Sequence, residues 1–202
     1  MKIYMICNES LLEDFRYENK DNLEFIRMIR PLSIYGEELA KNLVNNKIFE
    51  GDYKIYSSYY TSTISSAKYL SSKLETEVIL DESFNDCKVG ELGSKNMKMV
   101  KGIQNRDFSY KLVNGESLED VRKRVVSKVN KLLLGEDDII IFTHKRVILA
   151  YLLEYFNHDY NLDENIIIEK DGKVIFEDNE KTLEVYEFTY TNKKLTDVKI
   201  VS

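Results

Sequence analysis

The chain has 202 residues, 43% of them hydrophobic, enough to bury a substantial core in one domain, and its net charge of −6 argues against general nucleic-acid binding. No run of about 18 apolar residues offers a membrane span, and no basic region followed by an apolar stretch marks a secretory signal. The two cysteines, Cys7 and Cys87, are too few for a disulfide framework, so a reduced cytoplasm is the expected compartment.

Taken in chain order, residues 2–6 read as a short buried strand, with Ile3, Met5 and Ile6 apolar. It opens into Cys7-Asn8-Glu9-Ser10, a loop with a thiol, an amide, a carboxylate and a hydroxyl but no positive charge and no glycine. The acidic stretches at 13–24 and 177–184 read as solvated surface. Residues 33–46 are predicted as an amphipathic helix, with Leu39, Leu43 and Val44 on one face and Ser33 as its cap. Residues 53–57 form a strand that leads into a Ser/Thr/Tyr loop, and Ile64, Ala67, Leu70 and Leu74 keep helical spacing after it. Residues 77–80 are another short strand. Residues 81–114 read as irregular, a segment long enough to be functional or to hide short helices.

The clearest helix follows. Ser117 and Asp120 make a capping-box pattern, and Leu118, Val121, Val125, Val129 and Leu132 form an apolar stripe. The apolar run at 137–144 suits a central parallel strand buried on both faces, and 147–156 suits a covered helix. The tail contains two hairpins, one turning at Asp171-Gly172 and one near Asn192. No repeat or linker interrupts the chain. Alternation of strand and helix implies a mainly parallel sheet between helix layers, with a site beyond the carboxyl ends of the strands. Residues 7–10, 57–62, 81–93 and 143–146 are expected to converge there.

These segments carry a resemblance. MKIYMICNES is similar to the opening strand and Arg-His-Gly-Glu loop of the histidine phosphatase superfamily, the phosphoglycerate mutase-like fold. RPLSIYGEELAKNL, IYSSYYTSTISSA, DESFNDCKVGELG, NGESLEDVRKRV and IIIFTHKRVILAYLL resemble its later motifs in the same order, up to about residue 156. The resemblance implies one domain over 1–202, an α/β fold built as a three-layer α/β/α sandwich. Its sheet is mainly parallel, with a C-terminal hairpin extension over about 164–202. It also implies a mechanism. In active members the first His attacks phosphorus, two Arg and a second His hold the phosphoryl oxygens, and a carboxylic acid protonates the leaving oxygen.

Carried over position by position, much of that machinery is replaced. Asn8 stands at the nucleophile, and an amide nitrogen, its lone pair delocalised, does not attack phosphorus. Cys7 and Ser62 stand at the two arginines. Each lost charge-assisted bond is worth about 1.5–3 kcal/mol, so phosphoryl binding weakens roughly a hundred- to ten-thousandfold. Glu9 replaces a glycine and adds negative charge. His144 occupies the second-histidine position, Asp86 the general-acid position, and Glu116 of Gly-Glu-Ser is retained. Lys145 and Arg146 stand where the family prefers small residues; they either refill the emptied pocket and bind an anion, or pair with Glu9 and Asp86.

Loss of an essential nucleophile costs about a millionfold in rate, so no phosphohistidine chemistry is expected. Three readings follow. In the first, a catalytically inactive member uses the cleft as a ligand-binding or regulatory site. It takes a small anionic or phosphorylated molecule on Cys7, Asn8, Glu9, Ser62, Glu116, His144, Lys145 and Arg146, or it takes a protein partner. The second is a hydrolase of altered chemistry that uses Cys7 or His144 with Asp86. The third is an interaction protein whose cleft has closed. Cys7, Asp86 or Cys87, and His144 face one predicted pocket, but no paired ligand spacing supports a metal, and neither metal nor cofactor is expected. Nor is a nucleic-acid or membrane partner.

Overall fold

The computed structural model describes residues 1–16, 22–179 and 182–201. The expected solvated stretches lie outside the described residues at 17–21 and 180–181. In chain order the elements are β1 (Lys2–Asn8), α1 (Leu23–Ile29), α2 (Ile34–Asn42), β2 (Tyr53–Ser57), α3 (Thr61–Leu74) and β3 (Val78–Leu80). Then come α4 (Met97–Arg106), α5 (Leu118–Leu132), β4 (Asp138–Thr143) and α6 (Lys145–Leu152). The tail supplies β5 (Asp159–Tyr160), β6 (Ile166–Lys170), β7 (Lys173–Glu177), β8 (Leu183–Thr191) and β9 (Lys194–Ile200).

The central sheet runs β3-β2-β4-β1-β8-β9. Its first four strands are parallel, and β8 and β9 close it in antiparallel fashion. Strand periodicity divides the core. Ile3, Met5 and Cys7 of β1 with Ile139 and Ile141 of β4 pack on the face covered by α5 and α6. Tyr4, Ile6, Ile140 and Phe142 point the other way, to Ala67 and Leu70 of α3. The fold is thus the expected α/β sandwich with helices on both faces.

Local chemistry explains most boundaries. Ser33 accepts from the Gly36 amide and caps α2, and Ser117 with Asp120 forms a complete capping box at α5. The hairpin from β6 to β7 turns through Asp171 and Gly172, with φ of 51° and 73°, the pair of positive values a tight two-residue turn demands. The second tail hairpin does not hang free: β8 pairs with β1 along the whole of β1, from Lys2 to Asn8. The sequence pattern shows neither α1 nor α4. Among α4's apolar residues only Val100 is buried, and none of α1's is, so neither helix offers the buried apolar stripe that marks α5. The helix after β4 begins at Lys145, two residues before the apolar run suggests.

Because β1, β2 and β4 are parallel, Asn8, Ser58 and His144 emerge at one end of the sheet. The segments expected to converge do so there.

Candidate active site

At the end of β1, Asn8 turns its amide towards α2 and α3. Its Nδ2 donates to the Gly36 carbonyl at 2.9 Å and to Ser66 Oγ at 3.4 Å, while its Oδ1 accepts from the Ser10 amide at 3.2 Å. Both ends of the amide are thereby engaged by the protein. This close approach depends on Gly36, where an added Cβ would lie 2.3 Å from the Ser10 carbonyl oxygen and 3.0 Å from Ser10 Cβ. Backbone cannot yield as a flexible side chain can. Gly36→Ala is therefore expected to destabilise the chain by about 1–3 kcal/mol, read as a lowered urea midpoint; an unchanged midpoint would exclude this packing.

His144, at the N-terminus of α6, is 7% exposed. Its Nε2 shares a 2.9 Å hydrogen bond with Ser58 Oγ, which also bonds Thr63 Oγ1 at 2.7 Å. The Tyr60 ring meets the imidazole edge-on with centroids 4.4 Å apart. Burial pushes the imidazole pKa down to about 4, in spite of the Asp86 charge that favours protonation, so the ring is neutral at physiological pH.

Asp86 projects into the same space from the loop after β3. Burial would raise its pKa, but the Arg27 guanidinium, helped by His144 and Arg146, outweighs burial and holds the carboxyl below its usual range. Arg27 comes from α1. It pairs with Asp86, bonds Glu24 at 3.1 Å and donates to the Cys87 carbonyl at 3.1 Å. Glu24 also accepts from the Tyr60 hydroxyl. Glu24 is therefore part of the site and not solvated surface. Glu9 reaches solvent at the mouth, yet the protein packed around it and the nearby Asp86 charge raise its carboxyl pKa.

Lys145 and Arg146 make neither of the expected ion pairs. Lys145 is buried, and its Nζ lies 2.8 Å from Glu184 on β8 and donates to the Asn179 carbonyl at 2.9 Å; only its backbone amide approaches Glu9, at 3.4 Å. Arg146 Nη1 lies 3.5 Å from Asp178, and Nη2 donates to Gln104 at 3.2 Å. Asp178 and Glu184 are buried, at 3% and 2% exposure, so the reading of 177–184 as solvated surface fails for both. The physical reason is the same in each case: a lysine or arginine at the start of α6 draws a carboxylate from the tail inward.

Glu116 stands one step behind Asp86. It binds Arg124 at 2.8 Å, and Arg124 in turn donates to the carbonyls of Ser83, Asn85 and Asp86. This brace fixes the loop that carries Asp86. Ser62 is buried in the first turn of α3. Cys7 is wholly buried, and burial together with Glu9 and Glu184 pushes its thiol pKa well up, the opposite of an activated nucleophile. No group of three or more His, Cys, Asp or Glu among the described residues is placed to hold a metal ion.

Sequence reasoning missed Arg27 and Glu24 as site residues, whereas Ser58 and Tyr60 lie in the 57–62 segment expected to converge there. Arg27 lies in a short helix without periodicity, and its partner is 59 residues away.

Residues 30–188 match the family described as the histidine phosphatase superfamily, branch 1; the match begins after Cys7–Ser10. Among solved structures, a mycobacterial glucosyl-3-phosphoglycerate phosphatase in complex with inorganic phosphate aligns with a TM-score of 0.67 at 12% identity, covering all of this chain and 95% of that one. The alpha-ribazole phosphatase from Shigella flexneri aligns with a TM-score of 0.64 at 15% identity, covering 97% and 94%. A search of curated proteins finds no match. The structural likeness establishes the fold, and the family match covers most of the chain: this protein belongs to the histidine phosphatase superfamily.

Proposed function

We propose that this chain is a member of the superfamily without phosphohistidine chemistry, acting as one domain through binding rather than turnover. The observation that carries this reading is the Arg27–Asp86 pair. The carboxyl at the general-acid position is held ionised, so it has no proton to donate to a leaving oxygen near neutral pH. The position of the attacking group holds Asn8, engaged at both ends by the protein. With Cys7 and Ser62 at the arginine positions, no guanidinium from those sites is available to a transferring phosphoryl group, and such electrostatic stabilisation is usually the largest catalytic contribution. Burial and the raised thiol pKa speak against the alternative that makes Cys7 a nucleophile.

Between a ligand and a partner, the ion pairs favour a partner. Lys145 is held by Glu184, Arg146 by Asp178 and Gln104, and Arg27 by Asp86 and Glu24. A small anion would have to displace a carboxylate to gain a cation. The ligand reading keeps one specific support: Arg27 brings a guanidinium back into a cleft whose structural relative is solved with inorganic phosphate. Two free, buried cysteines suit a reducing cytoplasm, and no helix among the described residues is long and apolar enough to cross a membrane.

The purified chain is expected to release no product from p-nitrophenyl phosphate above a sample carrying His144→Ala, and to show no saturable heat with inorganic phosphate or vanadate. Turnover lost in His144→Ala would overturn the inactive reading. Vanadate binding that appears in Asp86→Asn but not in the unmodified chain would favour the ligand reading over the partner reading.

A further inference from the structure

A second surface lies away from the cleft. A groove of about 600 Å³ runs along the outer side of α5 beside the end of α6, lined by Arg122, Lys123, Val126, Lys131, Leu134 and Glu154, with Ser127 and Asn130 between them. It leads towards Asp138, where β4 begins, whereas the cleft lies beyond the other end of that strand.

The cations of α5 divide by direction. Arg124 and Lys128 turn inward and are paired, with Glu116 at 2.8 Å and Asp81 at 2.6 Å. Lys123 and Lys131 are exposed and have no ion-pair partner among the described residues, and Arg122 reaches Glu154 only at 3.8 Å. Three cations facing one carboxylate make a positive stripe on a chain whose net charge is −6. Leu134, 71% exposed, and Val126 give the stripe an apolar floor. Positions 123, 127, 130 and 131 share one helix face, and eight residues separate Lys123 from Lys131, or about 12 Å.

We propose that this groove docks an acidic amphipathic helix of a partner protein. Its apolar side chains would rest on Val126 and Leu134, and its carboxylates, two turns apart, would meet Lys123 and Lys131. The mode is a helix laid in a groove, with charge fixing register and partner. The apolar floor and the Glu154 carboxylate on the rim favour such a helix over a run of phosphates. The inference goes beyond the reading of the cleft and stands whether or not the cleft turns over.

The test uses the full chain and a labelled helical peptide with Glu and Leu at matching positions, followed by fluorescence anisotropy. Saturable binding is expected, weakened on the order of tenfold in the double variant Lys123→Glu/Lys131→Glu and weakened by added salt. The same peptide with Lys for Glu is expected to bind the double variant better than the unmodified chain. Circular dichroism and urea unfolding establish that the variant, altered only at exposed positions, is folded. No saturable binding, equal binding by both proteins, or tighter binding to duplex DNA or to phosphatidylserine vesicles than to the peptide would each overturn the proposal.

Discussion

Lys145→Met is expected to cost about 3–5 kcal/mol of folding stability. The ammonium and the Glu184 carboxylate are 2.8 Å apart with both side chains almost fully buried, at 6% and 2% exposure. Removing the lysine leaves a carboxylate inside the protein that keeps the Tyr186 hydroxyl, donating at 2.9 Å, but has lost the buried ammonium beside it. Desolvation of that charge, more than the lost attraction, supplies the penalty. The double variant Lys145→Met/Glu184→Leu removes both charges and is expected to recover much of the loss. Urea unfolding of the two variants measures the difference. A single variant within about 1 kcal/mol of the parent, or a double variant worse than the single, would show that the pair does not tie α6 to β8. This pair also bears on function, because it takes for structure a cation that the sequence offers to a ligand.

The second large effect is a loss of stability in mild acid. The unfolded chain protonates His144 near 6.5, whereas in the fold burial lowers the value to about 4. Between those values the unfolded state binds more protons at this site, so the stability that His144 contributes falls as pH falls from 6.5 to 4 and is fully present above 6.5, while Glu9, raised in the fold, works in the opposite direction. At 1.36 kcal/mol per pKa unit the loss is roughly 3 kcal/mol. Asp86 acts in the same direction at lower pH: its folded pKa lies below the ordinary aspartate value of 3.8, so its contribution is present above that value and fades as pH drops through the folded one. His144→Gln retains a polar group opposite Ser58 without the titration. Its stability is expected to vary much less between pH 7 and 4 than that of the parent. Equal slopes in the two proteins would remove His144 from the explanation.

Both effects arise where charges and hydrogen bonds close on one another inside the fold. The Arg27–Asp86 pair, the His144–Ser58 hydrogen bond and the Lys145–Glu184 pair are each satisfied by the protein itself. Buried charges need partners of their own.

Residue by residue, the sequence alone determined the elements with strong local signals. The α5 stripe and its Ser117–Asp120 box, the apolar run that becomes β4, and the Asp171-Gly172 turn are legible because each depends on neighbours within a few positions. Ordered motifs also marked which strand ends meet, and so placed Asn8, Asp86 and His144 at one end of the sheet. Tertiary structure alone decided the partners of the charges. Arg27 finds Asp86 across 59 residues, Lys145 finds Glu184 across the α6–β8 contact, and β8 finds β1 as its neighbour in the sheet. An ion pair carries no periodicity along the chain. Its members are chosen by proximity after folding and by the cost of leaving either one buried alone, and neither quantity exists until the strands and helices have packed.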